Sequence, residues 1–224
     1  MQPIDDPRNQ MRFFQDMTPA RRFVTGAARI VVPLLMRREV YGVENIPKTG
    51  AVVLAINHLT NWDVFPLQIS LPRPIFFMAK SELFHNPLVG TLIRHLGGFP
   101  VQRGKRDAWA LAYAENLLTN ERLLGMFPEG TRSKGRGLRA AKSGAARLAL
   151  AAGCPVVPIA ISGTERVLKQ GFHRPVVRIQ IAEPIHADDA MGAIEFTDQI
   201  MYSISRMLPE SLRGVYPITT PPGN

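Results

Sequence analysis

Ala51-Val52-Val53-Leu54-Ala55-Ile56-Asn57-His58-Leu59-Thr60-Asn61-Trp62-Asp63 is the stretch that decides the fold. Its first six residues are apolar and rich in β-branched side chains, the pattern of a strand buried on both faces. Such a strand delivers His58 to its C-terminal end, where open α/β sheets usually carry their active sites. Asp63 follows five residues after the histidine. On a continuous helix, positions i and i+5 lie about 140° apart and do not meet. A strand-to-helix turn removes that obstacle and folds the carboxylate back onto the imidazole. Accepting from one ring nitrogen, the carboxylate fixes the tautomer and leaves the other nitrogen as a base near neutral pH. A lone His beside an Asp is more often a loop hydrogen bond than a catalytic pair, so the reading needs a second motif.

Phe127-Pro128-Glu129-Gly130-Thr131-Arg132-Ser133 supplies it. It follows the apolar run Leu123-Leu124-Gly125-Met126-Phe127 and belongs at a second strand's C-terminal end. A carboxylate, a glycine, two hydroxyls and a guanidinium fall within seven residues. Arginine suits bidentate binding of phosphate, and hydroxyls with backbone N–H groups complete an anion cradle. A solvated loop would leave that concentration of donors unexplained.

With these residues the chain resembles the glycerolipid acyltransferases typified by 1-acylglycerol-3-phosphate O-acyltransferase (lysophosphatidic acid acyltransferase). The resemblance rests on four blocks in order: Asn57-His58 with Asp63; Gly98-Phe99-Pro100-Val101-Gln102-Arg103; Phe127 through Ser133; and Val157-Pro158-Ile159-Ala160-Ile161. They extend over residues 57–161, and Tyr41-Gly42-Val43-Glu44-Asn45-Ile46-Pro47 also looks like the family. The third block is the most specific. The second departs at Gln102, where many members carry Asp or Asn.

The resemblance implies transfer of a fatty acyl group from acyl-CoA or acyl-carrier protein to a lysophospholipid hydroxyl. The expected acceptor is 1-acylglycerol-3-phosphate and the product phosphatidic acid. His58 is expected to take the hydroxyl proton, with Asp63 orienting the ring and stabilising the imidazolium. The substrate alcohol stands where a hydrolase has its serine, so no acyl-enzyme is needed. Arg103 and Arg132 are expected to hold the acceptor phosphate, helped by Thr131 and the backbone at Gly130, with Lys105 and Lys142 as further candidates. Glu129 is expected to orient an arginine or a hydroxyl. Relatives acting on phosphate-free acceptors often lack the arginine of the third block, so Arg132 points towards a phosphate. No metal or redox cofactor is implied.

Composition bounds the alternatives. A chain of 224 residues, 46% hydrophobic, supports one good core and is short for two domains. Its 27 Lys+Arg against 18 Asp+Glu give a net charge of +9, which suits nucleic acid, anionic lipid or a polyanionic cosubstrate. A nucleic-acid-binding protein would interleave exposed aromatics with Lys and Arg, whereas most of the phenylalanines here lie in apolar runs. A thioesterase, or a lipid-binding member without transfer activity, is the other alternative. Cys154 is the sole cysteine, which excludes an internal disulfide and fits a reducing compartment. His58, His85, His95, His173 and His186 show no zinc-ligand spacing. The run from Gly98 to Gly104 has five intervening residues where a nucleotide-binding P-loop needs four.

Along the chain, strand-like runs alternate with helical stretches, which predicts an α/β domain with a largely parallel, mixed sheet flanked by helices. Residues 1–40 are expected to form a basic amphipathic helical segment, 41–212 the acyltransferase domain, and 213–224 a flexible tail. Thr18-Pro19 reads as a helix start. Residues 12–38 carry six arginines and one acid, Asp16. Their longest nearly uncharged stretch is 14 residues, short of the roughly 20 a bilayer span needs. The segment either lies in a membrane interface with its arginines on anionic headgroups, or covers the core with them solvated; both can hold. The expected location is the cytoplasmic face of a membrane. Further helices are predicted from Asn86-Pro87, from Asp107, over 140–152, and from Asp188 or Asp189 to about Leu208.

Overall fold

The structure, a computed structural model, describes residues 6–102, 104, 107–169, 173–188 and 190–218. Seven strands form one sheet: β1 (Arg37–Tyr41), β2 (Val52–Ile56), β3 (Ile75–Lys80), β4 (Gly98–Val101), β5 (Leu123–Met126), β6 (Val156–Ser162) and β7 (Val176–Ile181). Their order is β1-β7-β6-β2-β5-β3-β4. Only the β6–β7 pair is antiparallel.

β2 occupies the centre, and every one of its residues is fully buried. The two-residue period of a strand then divides its side chains between two cores. Val53 and Ala55 face the layer built by α4 (Ala108–Thr119), α5 (Gly144–Ala152) and α6 (Ala193–Met207), with Trp109, Leu117, Phe196 and Ile204. Val52, Leu54 and Ile56 face the layer of α1 (Pro19–Leu35) and α2 (Val64–Ser70), with Met36, Leu67 and Ile159. A continuous apolar run is what a strand covered on both faces requires.

Helix starts follow the expected chemistry at three positions. Thr18, Asn86 and Asp107 each accept backbone N–H groups of the first turn, opening α1, α3 (Pro87–His95) and α4. Other boundaries differ, each for a reason beyond local sequence. α1 ends at Leu35, and residues 37–41 leave the helical segment to form the edge strand β1. The distant β7 supplies the ladder, with Glu39 opposite Arg178 and ion-paired at 2.8 Å. Helix α5 begins at Gly144 rather than 140, because the preceding backbone donors are committed elsewhere. Arg139 N reaches Glu129 Oε2, Ala141 N the Tyr216 hydroxyl, and Lys142 N the Pro128 carbonyl.

α6 starts after Gly192. At the expected start the chain closes a turn instead, with Met191 N donating to the Asp188 carbonyl at 2.9 Å, and Asp189 lies outside the described residues. The expected tail is also shorter at its near end. Tyr216 is buried, and its carbonyl accepts the Ser205 hydroxyl at 2.5 Å.

Arg21 corrects the picture of a solvated or headgroup-facing arginine face on α1. Arg21 is 1% exposed, and its guanidinium donates to the Ile75 carbonyl at 3.0 Å and lies 4.6 Å from the Phe76 ring centroid. Desolvation, reinforced by the charge of Arg122, lowers its pKa to about 10. Arg12, Arg22 and Arg29 remain exposed, as do Phe23, Ile30 and Leu34. No helix among the described residues is long and apolar enough to cross a membrane.

Candidate active site

Three neighbouring strands, β6, β2 and β5, point their C-terminal ends at one place. Where β2 stops, the side chain of Asn57 takes over its ladder. It donates to the Ile161 carbonyl at 2.9 Å and accepts the Ile161 N–H at 2.7 Å. The chain then turns through Leu59 and Thr60 into a 3-10 turn at residues Asn61–Asp63.

This turn brings Asp63 onto His58, as the spacing predicts. His58 Nδ1 lies 2.8 Å from Asp63 Oδ2, and Asp63 is fully buried. The same Oδ2 accepts the N–H groups of Leu59 at 2.8 Å and Thr60 at 3.0 Å, while Oδ1 accepts the Thr164 hydroxyl at 2.5 Å. That many donors offset the cost of burying a carboxylate. An ionised Asp63 requires a proton on Nδ1, so the neutral imidazole presents its lone pair at Nε2.

The loop after β5 holds the histidine from the other side. Glu129 is buried, and its Oε1 accepts the His58 backbone N–H at 2.7 Å. Ser133 N donates to the His58 carbonyl at 2.7 Å, and Lys134 N to the Leu59 carbonyl at 3.1 Å. Both Glu129 oxygens are thus occupied by backbone donors, from His58 and Arg139. This differs from the expected orientation of an arginine or a hydroxyl: the hydrogen bonds of the carboxylate go to backbone N–H groups of the scaffold. Burial pushes its pKa up to about 7, and the nearby charge of Asp63 adds to the rise.

Aromatic rings complete the surroundings. Phe127 stacks on the His58 ring at 4.0 Å, and Phe77 stacks behind Phe127 at 5.7 Å. Gly125 makes room, since a Cβ there would lie 2.4 Å from the Phe77 ring. An apolar cavity of about 280 Å³ opens beside the imidazole, bounded by Phe65, Phe77, Leu92, Ile93 and Phe127. A second cleft of about 220 Å³ shares the Phe127 wall and is bordered by Gln102, Gly130 and Lys142.

The expected phosphate residues divide. Arg132 is exposed and donates to Asn61 Oδ1 at 3.1 Å, at the rim of the apolar cavity. Gly130 and Lys142 border the second cleft. Thr131 is exposed, and no side-chain hydrogen bond joins it to the other described candidates. Arg103 and Lys105 lie outside the described residues. Phe127 and Thr164 were not singled out from sequence. A threonine at the end of a strand carries no distinguishing local signal.

An α/β sheet with a buried His–Asp pair at its carboxyl edge, flanked by an apolar cavity, defines a site suited to proton abstraction beside a long apolar substrate. The family model for the acyltransferase domain matches residues 37–162, and the chain belongs to that acyltransferase family. It is 31% identical over 169 residues to the 1-acyl-sn-glycerol-3-phosphate acyltransferase of Bacillus subtilis, covering 75% of this chain and 83% of that protein. The Escherichia coli protein of the same name is 31% identical over 140 residues, which is 61% of this chain and 57% of that one. The crystal structure of the 1-acyl-sn-glycerophosphate acyltransferase PlsC from Thermotoga maritima matches with a TM-score of 0.71 at 28% identity. It covers 84% of this chain and 77% of the other.

Proposed function

We propose that this protein moves a fatty acyl group from an acyl thioester to the free hydroxyl of 1-acylglycerol-3-phosphate, giving phosphatidic acid. The observation that carries the proposal is the 2.8 Å contact between His58 Nδ1 and buried Asp63, beside an apolar cavity. His58 Nε2 takes the proton as the acceptor oxygen attacks the thioester carbonyl. The C–O bond forms, the tetrahedral intermediate collapses, and the C–S bond breaks. The departing thiolate receives the proton from the imidazolium. Asp63 stabilises that cation while it exists.

The apolar cavity suits an acyl chain, and Arg132 at its rim suits the acceptor phosphate. Acyl-CoA and acyl-carrier protein both fit as donor, and the reaction uses no metal or redox cofactor. A membrane-lying acceptor calls for contact with a bilayer. Exposed Phe23, Ile30 and Leu34 on α1, with exposed Leu88 and Leu92 on α3, offer an apolar face, and Arg22 and Arg29 suit anionic headgroups. Peripheral attachment at the cytoplasmic face of a membrane follows from this reading.

The test is a matrix of purified protein against acyl-CoA and acyl-carrier protein donors and several lysolipid acceptors. Phosphatidic acid formation with 1-acylglycerol-3-phosphate is the expected result. Thioester hydrolysis indifferent to added lysolipid would contradict it.

A further inference from the structure

We infer that Thr164 is a positioning residue for acyl transfer, its hydroxyl setting how tightly Asp63 holds the His58 imidazolium. The inference rests on His58 acting as the base. Thr164 lies two residues beyond the segment that the family model matches, in the turn Thr164–Arg166 after β6. It is a buried polar residue, 0% exposed, and its Oγ1 lies 2.5 Å from Asp63 Oδ1. A carboxylate can only accept, so the threonine must donate.

The contact is built into the backbone. Gly163 has φ +93°, and a Cβ there would lie 2.1 Å from the Val176 carbonyl oxygen. Only glycine lets the end of β6 pass this close to β7, and the turn that follows aims Thr164 at Asp63. The two carboxylate oxygens are served differently. Oδ2 faces His58 Nδ1 and two backbone N–H groups, whereas Oδ1 has the short Thr164 contact and a longer one to the Thr60 hydroxyl at 3.4 Å. A donor on Oδ1 draws negative charge away from Oδ2. Without it, Oδ2 becomes the stronger partner for the imidazolium, which then surrenders its proton less readily.

The ionisable groups around this relay come from each packed loop. Glu129 bonds the His58 N–H, Arg139 bonds Glu129 through its backbone, and Arg132 bonds Asn61. Lys134 is joined through its backbone to Leu59, and Glu165 and Arg166 lie on the turn of Thr164 itself. Replacing the neutral Thr164 changes none of these charges, so a shifted pH profile reports the hydroxyl.

The experiment compares wild type with Thr164→Val, which keeps the shape, and Thr164→Ser, which keeps the hydroxyl, beside His58→Ala as control. Each is assayed for kcat, acceptor KM and the pH dependence of kcat/KM, with thermal unfolding to verify the fold. For Thr164→Val the expected result is a lower kcat, because the more tightly held imidazolium returns its proton to the departing thiolate less readily. Acceptor KM changes little, and the acidic limb of the profile moves to higher pH. Thr164→Ser recovers most of the kcat and returns the limb towards wild type. Should Thr164→Val fail to fold, the Ser variant and the downfield Nδ1–H proton resonance of His58 in wild type and Thr164→Ser decide. A limb and resonance at wild-type positions support the inference, and displacement of both despite the retained hydroxyl overturns it. Wild-type kcat and pH profile in a folded Thr164→Val overturn it, as does a lower kcat with an unmoved profile that Thr164→Ser does not repair. An active His58→Ala would instead overturn the underlying reading of the base.

Discussion

Glu129 Oε1 accepts the backbone N–H of His58 at 2.7 Å, across 71 residues of sequence. The hydrogen bond from Ser133 N to the His58 carbonyl, also 2.7 Å, closes the connection from the same loop. The second motif therefore grips the backbone on both sides of the proposed base. Glu129→Gln keeps one acceptor oxygen but turns an amide N–H₂ towards the second backbone donor. Leaving that donor unsatisfied costs about 1–3 kcal/mol. Denaturant unfolding and kcat should both fall; an unchanged pair of values would mean the loop does not depend on this carboxylate.

Glu129 also predicts a pH dependence of stability. With its pKa pushed from 4.5 to about 7, the folded state retains a proton that the unfolded chain releases. The resulting stabilisation is fully present below about pH 4.5 and is lost as the pH rises through about 7. At about 1.4 kcal/mol per pKa unit, the upper limit is roughly 3.5 kcal/mol. Unfolding free energies of wild type and Glu129→Gln should converge as the pH rises across this window. Parallel curves would contradict the buried, protonatable carboxylate.

Asp63→Asn separates charge from geometry. An asparagine can place its oxygen where Oδ2 accepts from His58, Leu59 and Thr60, and its N–H₂ towards Thr164 and Thr60. Both hydroxyls can rotate to accept. The variant should keep its fold, with stability within about 1–2 kcal/mol of wild type. Its kcat should fall by about a hundredfold or more, since the imidazolium loses its counter-charge. Full activity in a folded variant would show that the charge is dispensable.

The central strand and the His58–Asp63 pairing are legible in sequence because each has a local cause. A six-residue apolar run can be satisfied only by burial on both faces, and a five-residue spacing closes through one turn. The edge strand β1 is not legible, since Arg37–Tyr41 becomes a strand only through pairing with β7. The late start of α5 has the same origin, in donors committed to Glu129, Tyr216 and Pro128. Glu129 and Arg21 invert their expected directions for a related reason. Their type suggests ligand or solvent, and only the tertiary fold shows them turned inward.

Arg132→Ala should lower kcat/KM for the acceptor roughly tenfold to hundredfold, as expected for losing a charge-assisted phosphate contact, with donor KM less affected. Arg132→Lys should recover part of this, because lysine lacks the bidentate fork. Steady-state kinetics with donor and acceptor varied in turn give the measurement. Unchanged acceptor kinetics would move the phosphate away from the rim at Asn61.

Membrane attachment separates into two contributions. Replacing Phe23, Ile30 and Leu34 with glutamine should weaken binding to vesicles at all salt concentrations, whereas replacing Arg22 and Arg29 should remove mainly the salt-sensitive part. Each arginine near an anionic surface is worth about 1 kcal/mol. Arg21 is left in place, since it braces α1 against β3. Cosedimentation with anionic vesicles checks this, with activity on detergent-dispersed substrate as the control. Equal binding by wild type and both variants would make α1 a cover for the core alone.

The most direct measurement of the central claim is phosphatidic acid formation from an acyl thioester and 1-acylglycerol-3-phosphate by wild type and His58→Ala at saturating substrates. General-base catalysis contributes roughly a hundredfold to ten-thousandfold. The variant, folded by thermal unfolding, should lose kcat by at least the lower of these factors. Near wild-type turnover in folded His58→Ala protein would show that another group takes the acceptor's proton.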